Sequence, residues 1–331
     1  MWRGGKWGTL VLIVGLLISL APVGWQPRPA GAAAETLVLG YSTWVGYGPL
    51  FLARDKRYFD EAGVNVELPP PIEDPKLRFA ALAAGKLDGL VTTLDTMTLY
   101  WKPTFQVQAV LGLDDSKGGD GIVSKSAIAT IKDLRGKRVA VNQGSVSDFF
   151  LNVLLRDNGM TVKDVNIVNM RQDDAGAAFL SGKVDAAVTW EPWLSRAKQA
   201  PGSHVLVDSS QTPGLIVDVM VIRKDVIKAH PNAVKAAVAA WYQAVDYWKA
   251  NEDDADAVMA KAVGGWLKDV KTFKETLAGV RYYDKAINVS YMAPGGQIYK
   301  TVQNAVNIWT ALGKITEKET TDDLIDPEFV R

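Results

Sequence analysis

The stretch from Val188 to Ala197 reads VTWEPWLSRA and directly follows the apolar run VDAAV, so two tryptophans enclose a glutamate and a proline where a strand should end. Aromatic faces beside a carboxylate can hold a small cation. A tryptophan pair serving only as core would rarely surround Glu191 and Pro192, so Trp190, Glu191 and Trp193 are candidate ligand contacts. Other apolar runs end in similar chemistry. In YSTWVGYGPL, Trp44 and Tyr47 stand among glycines that lead into a helix. In TTLDTMT, Asp95 is a candidate that helix capping would also explain. In VAVNQGSVSDFFL, the hydroxyls and amides at Ser145 and Ser147 could grip a polar ligand at a helix start, although capping accounts for one of them.

Carboxylates dominate the rest. LDDSKGGDGIV contributes Asp115 and Asp120 as candidates beside Asp114, but it is no calcium loop, because Lys117 and Gly119 fall where oxygen ligands should alternate. Nor does it carry the Gly-Lys-Ser/Thr of a nucleotide loop. Asp218 interrupts the apolar run GLIVDVMVI, and a buried lone carboxylate needs a cationic partner or access to a cleft. Beyond Arg196 at the end of VTWEPWLSRA, Lys117 is the one cation within these stretches, so the charge list points to a cationic solute. Catalysis is poorly provided for: the chain has two histidines, His204 and His230, and no motif sets either beside Ser145 or Ser147, which leaves a secreted hydrolase as the weaker alternative. The absence of cysteine rules out thiolate metal sites and disulfides, and neither a metal nor a cofactor is expected.

The elements that must position these residues follow from hydrophobic periodicity. TLVLGYS, VNVELPP and GLVTT alternate with amphipathic stretches, and a second series restarts at DLRGKRVAVNQGS and runs to AAVTWEPW. This is βαβα patterning, which predicts mostly parallel sheets flanked by helices. Two α/β lobes are expected, with crossings near Ile122 to Ser126 and Val217 to Arg223. Lobe 1 would take residues 35–123 and 220–331, and lobe 2 residues 124–219. In such sheets ligands lie beyond the strands' carboxyl ends. After Pro231 the chain turns largely helical, with Trp241 and Trp248 spaced as a core-facing stripe. Residues 1–34 carry Arg3 and Lys6, an apolar run from Leu10 to Leu20 and small residues near Ala32, the pattern of a cleaved signal peptide. An exported, periplasmic or otherwise extracytoplasmic protein without a lipid anchor is expected. The 37 basic and 37 acidic residues balance, which argues against nucleic acid as a partner.

Taken in order, GYSTWVGYGPLFLARDKRYFDEAGVNVEL, AALAAGKLDG, DLRGKRVAVNQGS and SGKVDAAVTWEPW resemble periplasmic solute-binding proteins of ABC importers, of the nitrate, sulfonate and taurine type. The resemblance implies a two-lobed periplasmic binding protein fold of the type II kind, one small solute in the cleft between lobes, a membrane permease as partner, a monomer, and no chemistry on the solute. It implies a cleft built from Trp44 to Gly48, Gly144 to Asp148 and Trp190 to Trp193. The DDSKGGDG and TWEPW stretches are similar to those of members associated with urea or guanidine breakdown. Together with the carboxylates, that makes guanidinium or a urea-like solute the first expectation. Taurine, another sulfonate or nitrate is the alternative, since helix N-termini near Tyr47 and Ser145 can bind an anion.

Overall fold

The computed structural model describes Met1, residues 34–316 and residues 321–331. The expected signal peptide lies outside the described residues apart from Met1 and Ala34, and among those described no helix is long and apolar enough to cross a membrane. From Ala34 to Arg331 the chain forms one unit built on two sheets.

Eleven strands are described: β1 Glu35–Gly40, β2 Val64–Glu67, β3 Gly89–Thr93, β4 Val107–Ser116, β5 Asp120–Lys125, β6 Arg138–Val141, β7 Asn166–Asn169, β8 Ala186–Trp190, β9 Ser203–Asp208, β10 Val217–Arg223 and β11 Val280–Tyr282. The first sheet runs β11-β4-β10-β3-β1-β2 and the second β7-β6-β8-β5-β9. β1 lies parallel to β2 and β3, and β6 lies parallel to β7 and β8. By contrast β10 is antiparallel to both β3 and β4, and β5 to both β8 and β9. Both sheets are therefore mixed rather than mostly parallel. Antiparallel pairing involves the strands leading into or out of the two passages between sheets, and also β11, which is antiparallel to β4.

Those passages differ from the expected ones. The chain changes sheet between Ser116 and Asp120, and again between Asp208 and Val217. Ile122 to Lys125 and Val217–Arg223 are themselves strand, because their apolar side chains are buried in the sheets' cores. A serine pair ties the passages together: Ser116 and Ser209 share a hydrogen bond of 2.7 Å, and the Gly118 amide donates to Ser209 Oγ at 2.8 Å.

Edge strand β2 alternates buried and exposed residues, whereas β10, in the middle of the first sheet, is buried from Val217 to Ile222, the pattern of a strand covered on both faces. Helices supply that cover. Trp241, within the long helix Pro231–Ala250, is fully buried and donates Nε1–H to the Tyr283 carbonyl at 2.9 Å. Trp248, on the same helix, is only half-buried and packs edge-on to Tyr282 with ring centroids 5.0 Å apart. The second sheet has two smaller cores, one around Phe150, Leu151 and Leu155 and one around Phe179 and Leu194.

Candidate functional site

Strand ends from both sheets converge on one small cavity. β1 leads into Ser42, Trp44 and Tyr47. β3 ends in Thr92 and Thr93, and Asp218 is the second residue of β10. From the second sheet come Asp120 at the start of β5, Ser145 after β6, and Trp190 at the end of β8. Parallel strands present their carboxyl ends here and β10 its amino end, so antiparallel pairing brings Asp218 to the same level as Thr93. The cavity measures about 40 Å³. One water needs about 10–15 Å³ on that scale, so the space suits a solute of a few non-hydrogen atoms.

Aromatic side chains wall the cavity from both sheets. Trp44 and Trp190 approach with ring centroids 6.3 Å apart and planes tilted by 50°. Trp44 is held by its indole N–H, which donates to Asp114 at 3.2 Å, and the Tyr47 hydroxyl donates to Asp218 at 2.5 Å. Trp190 donates to Asp173 at 3.2 Å. Each ring is thus anchored by a carboxylate while part of its face borders the cavity.

The electrostatics are unusual for so small a space. Burial pushes the carboxyl of Asp120 up to about 6 and that of Asp95 up to about 7, in both cases against opposing hydroxyl hydrogen bonds. Burial likewise raises Asp218 and Asp114, and the Asp218 carboxylate raises Asp114 further by repulsion. Opposite in sign stands Arg78, in the helix Pro75–Ala83, whose amino end is fixed by Asp74 accepting from the Leu77 amide at 3.1 Å. Arg78 lines the cavity and is only 4% exposed. Its Nη1 donates to the Ile72 carbonyl at 2.5 Å, but its Nε has no hydrogen-bond partner. Burial lowers its pKa while Tyr47, Glu73 and Asp218 pull it back up; a guanidinium stays charged under such conditions.

Six of the eleven residues singled out from sequence line the cavity: Trp44, Tyr47, Asp120, Ser145, Trp190 and Asp218. Five do not. Asp115 follows Asp114 on β4, and successive strand residues face opposite ways, so it pairs instead with Arg281 at 2.8 Å. Asp95 sits beneath the cavity floor, accepting from the Thr96 hydroxyl at 3.2 Å with its other oxygen unpartnered. Ser147 is buried, and its amide donates to Ser145 Oγ at 3.2 Å. Glu191 accepts from the Ser195 amide and hydroxyl at 3.0 and 2.9 Å, which uses its carboxylate on the first turn of the helix Trp193–Gln199. Trp193 packs over Gly176, where an added Cβ would come within 2.3 Å of the indole, and lies beneath the Arg196 guanidinium.

Sequence reasoning missed Arg78, a cation brought near Asp218 from outside its own stretch. It also missed Glu73, Thr92, Thr93, Thr96 and Gln172. The one available signal was an arginine among apolar residues in RFAALAAG, which reads equally as the polar edge of a helix. The cavity lining contains no histidine, and Ser145 Oγ is engaged with the Asn142 carbonyl at 2.7 Å, so no activated nucleophile faces the space. Among the described residues no cluster of acidic, histidine or cysteine side chains suits a metal ion.

A cavity walled by strand ends of two sheets, each helix-flanked, has a counterpart among characterised proteins. Residues 44–255 match the family described as NMT1/THI5 like. The chain belongs to that family. It is similar to the taurine-binding periplasmic protein of Escherichia coli, 30% identical over 243 residues, which cover 72% of each chain. It is also similar to a putative aliphatic sulfonates-binding protein of Bacillus subtilis, 26% identical over 330 residues, 97% of this chain and 95% of that one. Its fold matches the crystal structure of the periplasmic aliphatic sulphonate-binding protein of Escherichia coli with a TM-score of 0.72 over 89% of this chain and 99% of that chain, at 19% identity. The α/β periplasmic binding protein fold expected from the sequence is thus the one observed, and this family member is a solute-binding protein. None of these relatives is named for guanidine or urea, and the charge list that favoured them omitted Arg78.

Proposed function

We propose that the protein captures a compact aminosulfonate of the taurine kind outside the cytoplasm and hands it to the permease of an ABC importer, without altering it. The observation that carries the reading is Arg78, a buried guanidinium at the cavity with a donor left unpaired. A sulfonate offers three acceptor oxygens to that donor and to the amides at the start of the helix Val146–Asp157, which begins at the cavity wall. The solute's ammonium then falls to Asp120 and Asp218 between the faces of Trp44 and Trp190. A purely anionic sulfonate or nitrate leaves those carboxylates uncompensated, whereas a zwitterion meets both signs of charge. The names of the relatives support the class, and the two-signed lining supports the amine.

A guanidinium ion is the second reading, favoured by the raised carboxyls of Asp95, Asp114, Asp120 and Asp218 around one space. A thermal-shift series with taurine, ethanesulfonate, nitrate, urea and guanidinium, followed by calorimetry, separates the readings, because a solute bound only by the folded state raises the midpoint. Taurine is expected to give the largest rise and ethanesulfonate a smaller one. A rise with guanidinium and none with taurine would replace the aminosulfonate by the cation.

A further inference from the structure

The register of the first sheet sets two carboxylates face to face at the base of the cavity. Asp218 on β10 is paired directly with Asp114 on β4, and cross-strand partners lie about 4.5–5.5 Å apart at Cβ. Asp114 is fully buried and does not line the cavity; one oxygen accepts from Trp44 and the other has no partner. Asp218 accepts from the Tyr47 hydroxyl and does border the solute space. No ion pair described includes either residue. The groups facing the pair are all accounted for. Asp120 stands on β5, Asp95 lies after β3, and Asp115 turns away to Arg281; Tyr282 on β11 gives its hydroxyl hydrogen to the Val45 carbonyl, and Arg78 is shared with Glu73 and Tyr47. Arg78, one guanidinium drawn also by Glu73 and Tyr47, carries a single positive charge against two opposed buried carboxylates.

We propose that Asp114 and Asp218 share a single proton in the empty site, and that capture of a solute bearing a cationic end expels it to solvent. Two opposed buried carboxylates hold one proton rather than two charges. The ammonium of the solute, placed against Asp218, supplies the positive charge the proton had provided, so both carboxyls ionise and one H⁺ leaves for each solute that enters. Asp114 is then a positioning residue: it touches Trp44 and its opposite neighbour, not the solute. The inference rests on the solute having a cationic end, as in the function proposed above.

Calorimetric titration of the whole protein at pH 7.5, in two buffers of different ionisation heat, counts the protons. With taurine, about one proton released per solute is expected, and affinity should rise about tenfold per pH unit below the shared pKa. In Asp114→Asn, whose amide oxygen can still accept from the Trp44 indole, binding should persist while the release falls well below one proton. Taurine binding with buffer-independent heat, proton uptake instead of release, or full release by the asparagine variant overturns the sharing and leaves the aminosulfonate reading intact. Guanidinium binding without taurine binding overturns that reading instead, and its proton count still tests the pair. Should Asp114→Asn fail to fold, or neither solute bind, infrared absorption of protonated carboxyl groups in the wild-type protein decides. It must be present at pH 7 without solute and be lost as the pH is raised to 10; its absence at pH 7 overturns the proposal.

Discussion

In the aminosulfonate reading, Arg78 takes the anionic end of the solute. Its guanidinium is buried, keeps one donor free and faces Asp218, Tyr47 and Glu73 rather than a dedicated ion-pair partner. Replacing it by glutamine keeps a polar side chain but removes the charge and the fork. A lost hydrogen bond to a charged group costs about 1.5–3 kcal/mol, so Arg78→Gln should weaken taurine binding by about 10- to 150-fold in calorimetry. An affinity within twofold of wild type would remove the sulfonate from Arg78. Glu191 illustrates the opposite case. Sequence gave it a central place between tryptophans, yet both of its oxygens are satisfied by Ser195, so its charge serves a helix start and not the cavity.

Trp190 and Trp193 are separated by a turn at the level of elements. Trp190 ends β8 and borders the cavity; Trp193 opens the next helix and packs on the helix Gln172–Leu180 at Gly176. Alanine at 176 would gain about 1 kcal/mol in helix propensity over glycine. Against that, its Cβ would meet the base of the Trp193 ring at 2.3–2.8 Å, atoms that cannot swing away as a flexible chain end could. Overpacking of this kind costs about 1–3 kcal/mol. Gly176→Ala should therefore lower stability in urea unfolding. It should also weaken taurine binding, since Asp173 holds both indole N–H groups, at 3.2 and 3.4 Å, and ties the displaced ring to Trp190. A variant more stable than wild type would show that the ring relaxes freely.

The cavity belongs to the molecule as a whole, because neither sheet encloses it alone. One hydrogen bond beside it joins the parts built on the two sheets: the Tyr100 hydroxyl, in the helix after β3, donates to the Gly144 carbonyl, after β6, at 3.1 Å. We expect entry of a solute to part the sheets by bending at the two passages between them, which are joined through Ser116 and Ser209. We expect solution X-ray scattering to show a smaller radius of gyration with saturating taurine than without solute. An identical profile, with binding verified in the same sample, would place the motion elsewhere.

The sequence by itself determined the alternation of strands and helices, the strand ends at which to look, and the aromatic and acidic character of what stands there. Those properties are local: an apolar run ended by Gly, Trp or Asp is visible in a window of ten residues, and Asp218 was conspicuous because its neighbours are apolar. Tertiary structure decided which of the marked side chains face the solute. On β4 one residue of register separates Asp114, beneath the cavity, from Asp115, paired with Arg281 on the far side. It also decided the mixed strand directions, the position of the passages between sheets and the arrival of Arg78, which lies 140 residues before Asp218 in the chain and faces it across the cavity. Spacing along the chain carries no record of such an encounter. It arises when two sheets pack their ends together, and the charge balance of the site is fixed at that step.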